Sequence, residues 1–152
     1  MTIKSITPFL WFEDQAEEAA NFYVSLFPDS RITHVSRYGD AGPRPKGSVM
    51  VVSFELMGRR FIALNGGPYQ RLSEAFSLLV DCTEQGEIDR LWQALTDTPN
   101  VCGWTKDRFG LSWQINYAGL PELMTGVKAD KVMAAMMGMK KIDIKALKDA
   151  AL

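Results

Sequence analysis

Among 152 residues there is one histidine, His34, and there are two cysteines, Cys82 and Cys102. That shortage bounds the chemistry. A divalent-metal site of imidazole and carboxylate ligands needs several such groups converging, and His34 has no carboxylate or thiol beside it in sequence. A nucleophilic thiol needs a base or a cation to lower its pKa. Lys106 and Arg108 follow Cys102, but no histidine does, so Cys102 reads as a small buried hydrophobe. Cys82 ends an apolar run and reads as structural. The remaining candidates suit holding a molecule better than breaking one. The amides of Asn65 and Gln114 can orient a ligand in an apolar cleft, or can pair with backbone instead. Asn116 reads as structural. Trp104 and Trp113 can wall a site for a flat ligand or pack in a core. Arg108 can hold an anion through its fork or stand solvated in a turn. Asp107 and Gly110 read as turn formers, Asp by bonding its own following backbone and Gly by supplying a positive φ.

The elements that must position these side chains alternate strand and helix. Ser5–Phe12 is apolar and aromatic and predicts a strand. Asp14, with Glu17 three residues on, predicts a capped helix in which Ala16, Ala19, Ala20, Tyr23 and Leu26/Phe27 recur at helical spacing. Arg31–Tyr38 predicts a strand, and the Gly- and Pro-rich segment 39–47 a loop. Ser48–Met57 and Phe61–Leu64, joined across Gly58-Arg59-Arg60, predict a hairpin, ended by Asn65-Gly66-Gly67-Pro68. Phe76–Cys82 then predicts a strand, and Thr83 a cap for a helix carrying Ile88, Leu91, Trp92 and Leu95 on one face. Thr98-Pro99-Asn100 predicts a break, Val101–Trp104 a short strand, Asp107–Gly110 a turn and Leu111–Tyr117 a strand. Leu120–Met124, Lys128–Met139 and Ile142–Ala151 predict three helical stretches, the second with a Met-rich stripe of Met133, Met136, Met137 and Met139.

Length and composition fit one domain spanning 1–152. Hydrophobic residues make 47% of the chain, with 8 Phe, 8 Met and 4 Trp, enough for a real core. The net charge of −1 and the lack of any Lys/Arg run argue against a nucleic-acid footprint. No apolar run reaches the roughly 20 residues of a membrane span. Met1–Pro8 lacks the apolar stretch of a signal peptide, and two cysteines do not make a disulfide scaffold. A cytoplasmic protein is expected.

An internal repeat organises the chain. A shift of 69 residues lays Phe9-Leu10-Trp11 on Leu78-Leu79-Val80 and Ala19, Phe22, Tyr23 and Leu26 on Ile88, Leu91, Trp92 and Leu95. At a shorter offset, Ile62-Ala63-Leu64-Asn65 falls on Trp113-Gln114-Ile115-Asn116. The modules run from about 3 to 67 and from about 74 to 118, with a helical extension over about 119–152.

This pairing of modules resembles the vicinal oxygen chelate superfamily, also called the glyoxalase/bleomycin-resistance fold. The strings ITPFLWFEDQAEEAANFYVSLFPDS, FIALNGGP, FSLLVDC, CGWTKDRFGLSWQIN and MKKIDIKALKDA resemble its PhnB-like branch, often labelled 3-demethylubiquinone-9 3-methyltransferase. The resemblance implies an α+β fold, with tandem βαβββ modules forming a curved mixed sheet and C-terminal helices. It also implies a homodimer with a concave small-molecule site. Superfamily enzymes hold a divalent metal there with His and Glu, at positions that fall at or beside Pro8, Ala63, Ser77 and Gln114, none of which is His or Glu. Many PhnB-like relatives carry a His after the NGGP segment, where this chain has Tyr69, so the obvious general base of the cleft rim is missing. A methyl donor usually sits on a glycine-rich loop after a first strand, and Asp14-Gln15-Ala16-Glu17 stands there instead. The expectation is a small-molecule binder without metal or other cofactor, with Asn65, Tyr69, Trp104, Arg108, Trp113 and Gln114 as ligand-binding candidates. The alternatives are a metal-dependent lyase, isomerase or dioxygenase of the same superfamily, or a dimeric scaffold.

Overall fold

The computed structural model describes residues 2–152. They form two compact units, one ending at Leu72 and the other spanning Ser73–Leu152. Each unit builds its own four-stranded mixed sheet.

The first unit runs β1 (Phe9–Phe12), α1 (Ala16–Leu26), β2 (Arg31–Arg37), β3 (Val49–Leu56) and β4 (Arg59–Asn65), with strand order β1-β4-β3-β2. β1 is shorter than the predicted Ser5–Phe12. Pro8, just before it, has no N–H to give a ladder and only accepts, from the Ile62 N–H at 3.1 Å. β1 and β4 lie parallel, while β3 pairs antiparallel with both β4 and β2. The β3–β4 hairpin turns on Met57-Gly58, both at positive φ (50° and 78°), as a two-residue turn matching strand twist requires. The turn therefore sits earlier than 58–60, and Arg59 already belongs to β4. Alternation along β3 puts Val52 and Phe54 on one face, and the register carries that face to Phe61, Ala63 and Leu10. All five are buried, with Tyr23 of α1 packed on Phe54 at 6.3 Å between ring centroids and Phe54 stacked on Phe61 at 5.5 Å. Leu10, Val52, Phe54 and Phe61 each contribute about 1.5–3 kcal/mol by leaving water.

The predicted Asp14 cap is not made: Gln15 occupies the cap position of α1 with no side-chain bond. The orphan N–H of Ala16 is satisfied from far along the chain, by Asn65 Oδ1 at 2.8 Å. The same amide donates from Nδ2 to the Val49 carbonyl at 3.1 Å. Asn65 thus ties helix start, β3 and the end of β4 together.

The second unit repeats the plan: β5 (Ser77–Cys82), α2 (Gln85–Leu95), β6 (Thr98–Pro99), β7 (Trp104–Lys106) and β8 (Ser112–Tyr117), in the order β5-β8-β7-β6. β5 and β8 are again parallel. The expected break at Thr98-Pro99 is instead a two-residue strand on β7. The strand expected from Val101 begins only at Trp104, because Cys102 and Gly103 turn the chain at φ 59° and 81°. Thr83 does not cap α2; Glu84 holds that place without a side-chain bond. Three helices follow, α3 (Leu120–Leu123), α4 (Ala129–Met137) and α5 (Ile144–Ala150). Gln85 fastens this extension, donating to the Ile142 carbonyl at 2.9 Å and accepting from the Ile144 N–H at 2.8 Å. The N–H groups of Cys102 and Gly103 donate to the carbonyls of Met139 and Lys140, and Val132, Ile142 and Leu147 are buried.

The repeat is real in topology, and the strand matches in the sequence coincide with the pairing: Phe9 lies beside Ile62 as Leu78 lies beside Trp113. The faces, however, are reversed. Leu10 and Ala63 point to the α1 side and are buried, whereas Leu79, matched to Leu10, is half-exposed. A one-residue slip sends every side chain of a strand to the other face, so the face-true alignment differs by one from the sequence alignment.

Asn65→Ala removes a helix cap and a strand tie at a buried site, and is expected to destabilise the protein by about 1–3 kcal/mol in urea unfolding. Asn65→Asp, which keeps the acceptor for Ala16, is expected to lose less.

Candidate functional site

The two faces of the second sheet divide its side chains by chemistry. Leu78, Trp113 and Thr105 lie side by side on adjacent strands, and the Thr105 hydroxyl donates to Thr96 Oγ1, at the end of α2, at 3.0 Å. This is the helix side. Trp113 is 1% exposed, and its indole N–H donates to Asp107 Oδ2 at 2.9 Å. The other carboxylate oxygen of Asp107 accepts from the N–H groups of Phe109 and Leu111 at 2.8 and 3.1 Å. The Asp107 carboxylate therefore shapes the turn, with Gly110 at φ 93°, and anchors a core tryptophan. Trp113 belongs to the core and not to an aromatic wall.

The opposite face carries two rows. One holds Leu79, Gln114 and Trp104, the next Ser77, Ser112 and Lys106. Trp104 and Gln114, both predicted, are neighbours here, and Gln114 donates from Nε2 to Ser77 Oγ at 3.0 Å. Beside them is a small cavity of about 50 Å³ lined by Glu74, Asn100, Trp104, Thr105, Lys106 and Ser112, among others. Lys106 Nζ meets Glu74 Oε1 at 2.5 Å, and this hydrogen bond, reinforced by a backbone bond and by the charge of Lys106, holds the Glu74 carboxyl below the usual carboxylate range. Ser112 is 1% exposed, and its hydroxyl is the one buried side-chain polar atom without a hydrogen-bond partner among the described residues. Leaving such a group unpaired costs about 1–3 kcal/mol. Sequence reading missed Ser112, Lys106 and Glu74. The first two sit two residues from Gln114 and Trp104 on the same strands, so strand alternation was the available signal; Glu74, from the connecting segment, gave none.

The remaining candidates lie elsewhere. Arg108 stands at the Asp107 turn with its guanidinium 4.4 Å from the Phe109 ring centroid. Asn116 donates to Asp81 across the strands at 3.0 Å. Asn65 and Tyr69 belong to the first unit; Asn65 is engaged as described, and Tyr69 is 78% exposed after the Gly66-Gly67 segment. Two larger hollows, of about 380 and 520 Å³, lie beside the starts of α1 and α2, and neither contains a buried polar side chain left unpaired.

The positions at which the superfamily holds metal can be tested against these side chains. Ala63 is fully buried on the α1 side, Pro8 offers no side-chain donor, and Gln114 donates from Nε2 to Ser77 Oγ, which leaves neutral amide and hydroxyl oxygens rather than ionised ligands. Among the described residues no three His, Cys, Asp or Glu side chains gather as a metal site needs. The donor set does not fit a divalent ion.

Two βαβββ units, each with parallel first and last strands, followed by C-terminal helices, define an α+β protein of the vicinal oxygen chelate type. The family model described as 3-demethylubiquinone-9 3-methyltransferase matches residues 4–116. A PhnB protein from Bacillus cereus, carrying the same description, is 36% identical over 76% of this chain and 100% of its own, with a TM-score of 0.67. A Pseudomonas aeruginosa protein shares the fold at 22% identity, over 76% of this chain and 98% of its own, with a TM-score of 0.60. No curated protein matches the sequence. The chain belongs to this PhnB-like family. No helix among the described residues is long and apolar enough to cross a membrane.

The two tryptophans are expected to separate stability from surface chemistry. Trp113→Phe strips a donor from buried Asp107 and is expected to cost about 1–3 kcal/mol in chemical denaturation, whereas Trp104→Phe is expected to shift the midpoint far less.

Proposed function

We propose that this chain binds a small organic molecule against the open face of its second sheet, without a metal ion. The observation that carries the reading is the Ser77–Gln114 pair, a hydroxyl and an amide bonded to each other at 3.0 Å where the superfamily's chemistry calls for ionisable ligands. Trp104 beside Gln114 offers a flat apolar surface, and the amide, the Ser112 hydroxyl and Lys106 offer the few polar contacts that fix orientation in such sites. Arg108, exposed at the Asp107 turn of the same unit, remains part of the proposed ligand set, and Tyr69 remains a separate candidate on the first unit. Asn65 contributes by holding the first unit together, and Trp113 by holding the second.

A metal-dependent lyase, isomerase or dioxygenase reading finds no cluster of ligands among the described residues. Methyl transfer finds no support either: the β1–α1 connection carries Glu13, Asp14 and Gln15 rather than a glycine cradle, and the sheets are mixed rather than doubly wound. We also read the protein as a cytoplasmic homodimer. Both cysteines are unbridged, and Met133 and Met137 expose an adaptable apolar stripe on α4.

Elemental analysis of protein purified without chelator and then dialysed checks this. The expected result is well below one zinc, nickel, iron or manganese per chain and no change in melting temperature on adding these ions. One metal per chain, lost in Gln114→Ala, would overturn the reading.

A further inference from the structure

Ser112, whose buried hydroxyl lacks a partner among the described residues, and Lys106 both line the same small cavity, and that pairing of groups has a definite complement. A hydroxyl donor beside a cation suits an oxyanion. The cavity, at about 50 Å³, is much smaller than the hollows of about 380 and 520 Å³ beside α1 and α2, and suits a compact head group. Trp104, on the same cavity wall, leaves an apolar surface for whatever the head group is attached to. The protein already shows what Lys106 prefers: its partner is a carboxylate, that of Glu74, at 2.5 Å. Glu74 comes from the segment preceding β5, and its side chain is 60% exposed, so it can swing into water at little cost. An exposed ion pair of this sort contributes little, so a better-placed external carboxylate can replace it.

We infer that the cavity beside Trp104 is a recognition slot for the carboxylate of a small organic acid, held by Lys106 and Ser112, with Glu74 as an internal carboxylate that the ligand displaces. This names the ligand class for the binding function proposed above and rests on it. Lys106 is left with one carboxylate partner at a time, and Ser112 gains the acceptor that it lacks among the described residues. The remainder of the acid lies along Trp104.

Titration with acetate and benzoate, and with the neutral analogues acetamide and benzamide, tests this by tryptophan fluorescence and calorimetry. Benzoate is expected to bind at least tenfold more tightly than benzamide, with acetate weaker than benzoate for want of contact with Trp104. Glu74→Gln, an exposed substitution, is expected to tighten benzoate binding at least threefold. Lys106→Gln is expected to abolish it while Lys106→Arg retains it, and Ser112→Ala is expected to weaken it severalfold; melting temperatures confirm that each variant is folded. Equal binding of benzoate and benzamide, or no gain in Glu74→Gln, would overturn the carboxylate slot and leave the small-molecule reading standing. Absence of any benzoate response in both the wild type and Glu74→Gln would also overturn it. One bound metal per chain would instead overturn the reading beneath it.

Discussion

Parallel pairing of β1 with β4, and of β5 with β8, forces a connection that leaves the sheet on one side and returns. In both units that connection is a helix, α1 or α2, followed by the remaining strands. The consequence is a division of labour between faces. The helix side collects the close-packed apolar residues: Leu10, Val52, Phe54, Phe61 and Ala63 in one unit, and Leu111, Trp113 and Ile115 in the other. The side without a helix is free to carry other chemistry. In the first unit that face is apolar, with Phe9, Trp11, Ile62 and Leu64. In the second it is mixed, with Ser77, Gln114, Ser112 and Lys106 around Trp104. Duplication of one plan thus supplies two sheets with differently specialised open faces.

Much of this is legible in the sequence, because strand, helix and closing strand recur with matching apolar spacing. The face each strand presents is not, and the reason lies in the residues. FLWF and SLLVDC are nearly continuous apolar runs, so neither fixes the phase of a period-2 element. Pairing Leu10 with Leu79 is as good by hydropathy as pairing it with Leu78, yet only the second keeps the helix face. The same ambiguity hid the contrast between Trp104 and Trp113, which are alike in type and opposite in direction. The capping of α1 was illegible for another reason. Asp14 and Glu17 make a plausible local cap, but Asn65, 49 residues downstream, reaches Ala16 instead, and no local pattern announces a contact of that range.

The candidate site draws its character from which polar groups satisfy one another. Asp107 spends both carboxylate oxygens on the turn and on Trp113. Gln114 donates to Ser77, and Gln85 is spent on the linker into α5. Among the described residues Ser112 is the buried exception, and it lies beside a cation whose partner is an exposed and replaceable side chain. Buried polar groups are nearly always paired in native proteins, so the exception carries more information about function than the larger hollows do.

In the proposed reading, ligand chemistry is confined to the open face of the second sheet. Two-dimensional ¹H–¹⁵N spectra of the assigned protein, recorded with and without benzoate, test it directly, since indole and side-chain amide protons report from both faces. The Trp104 indole and the Gln114 side-chain amide are expected to shift with benzoate, while the Trp113 indole, locked to Asp107, and the Asn65 amide stay in place. Movement of Trp113 and Asn65 with Trp104 and Gln114 silent would contradict it.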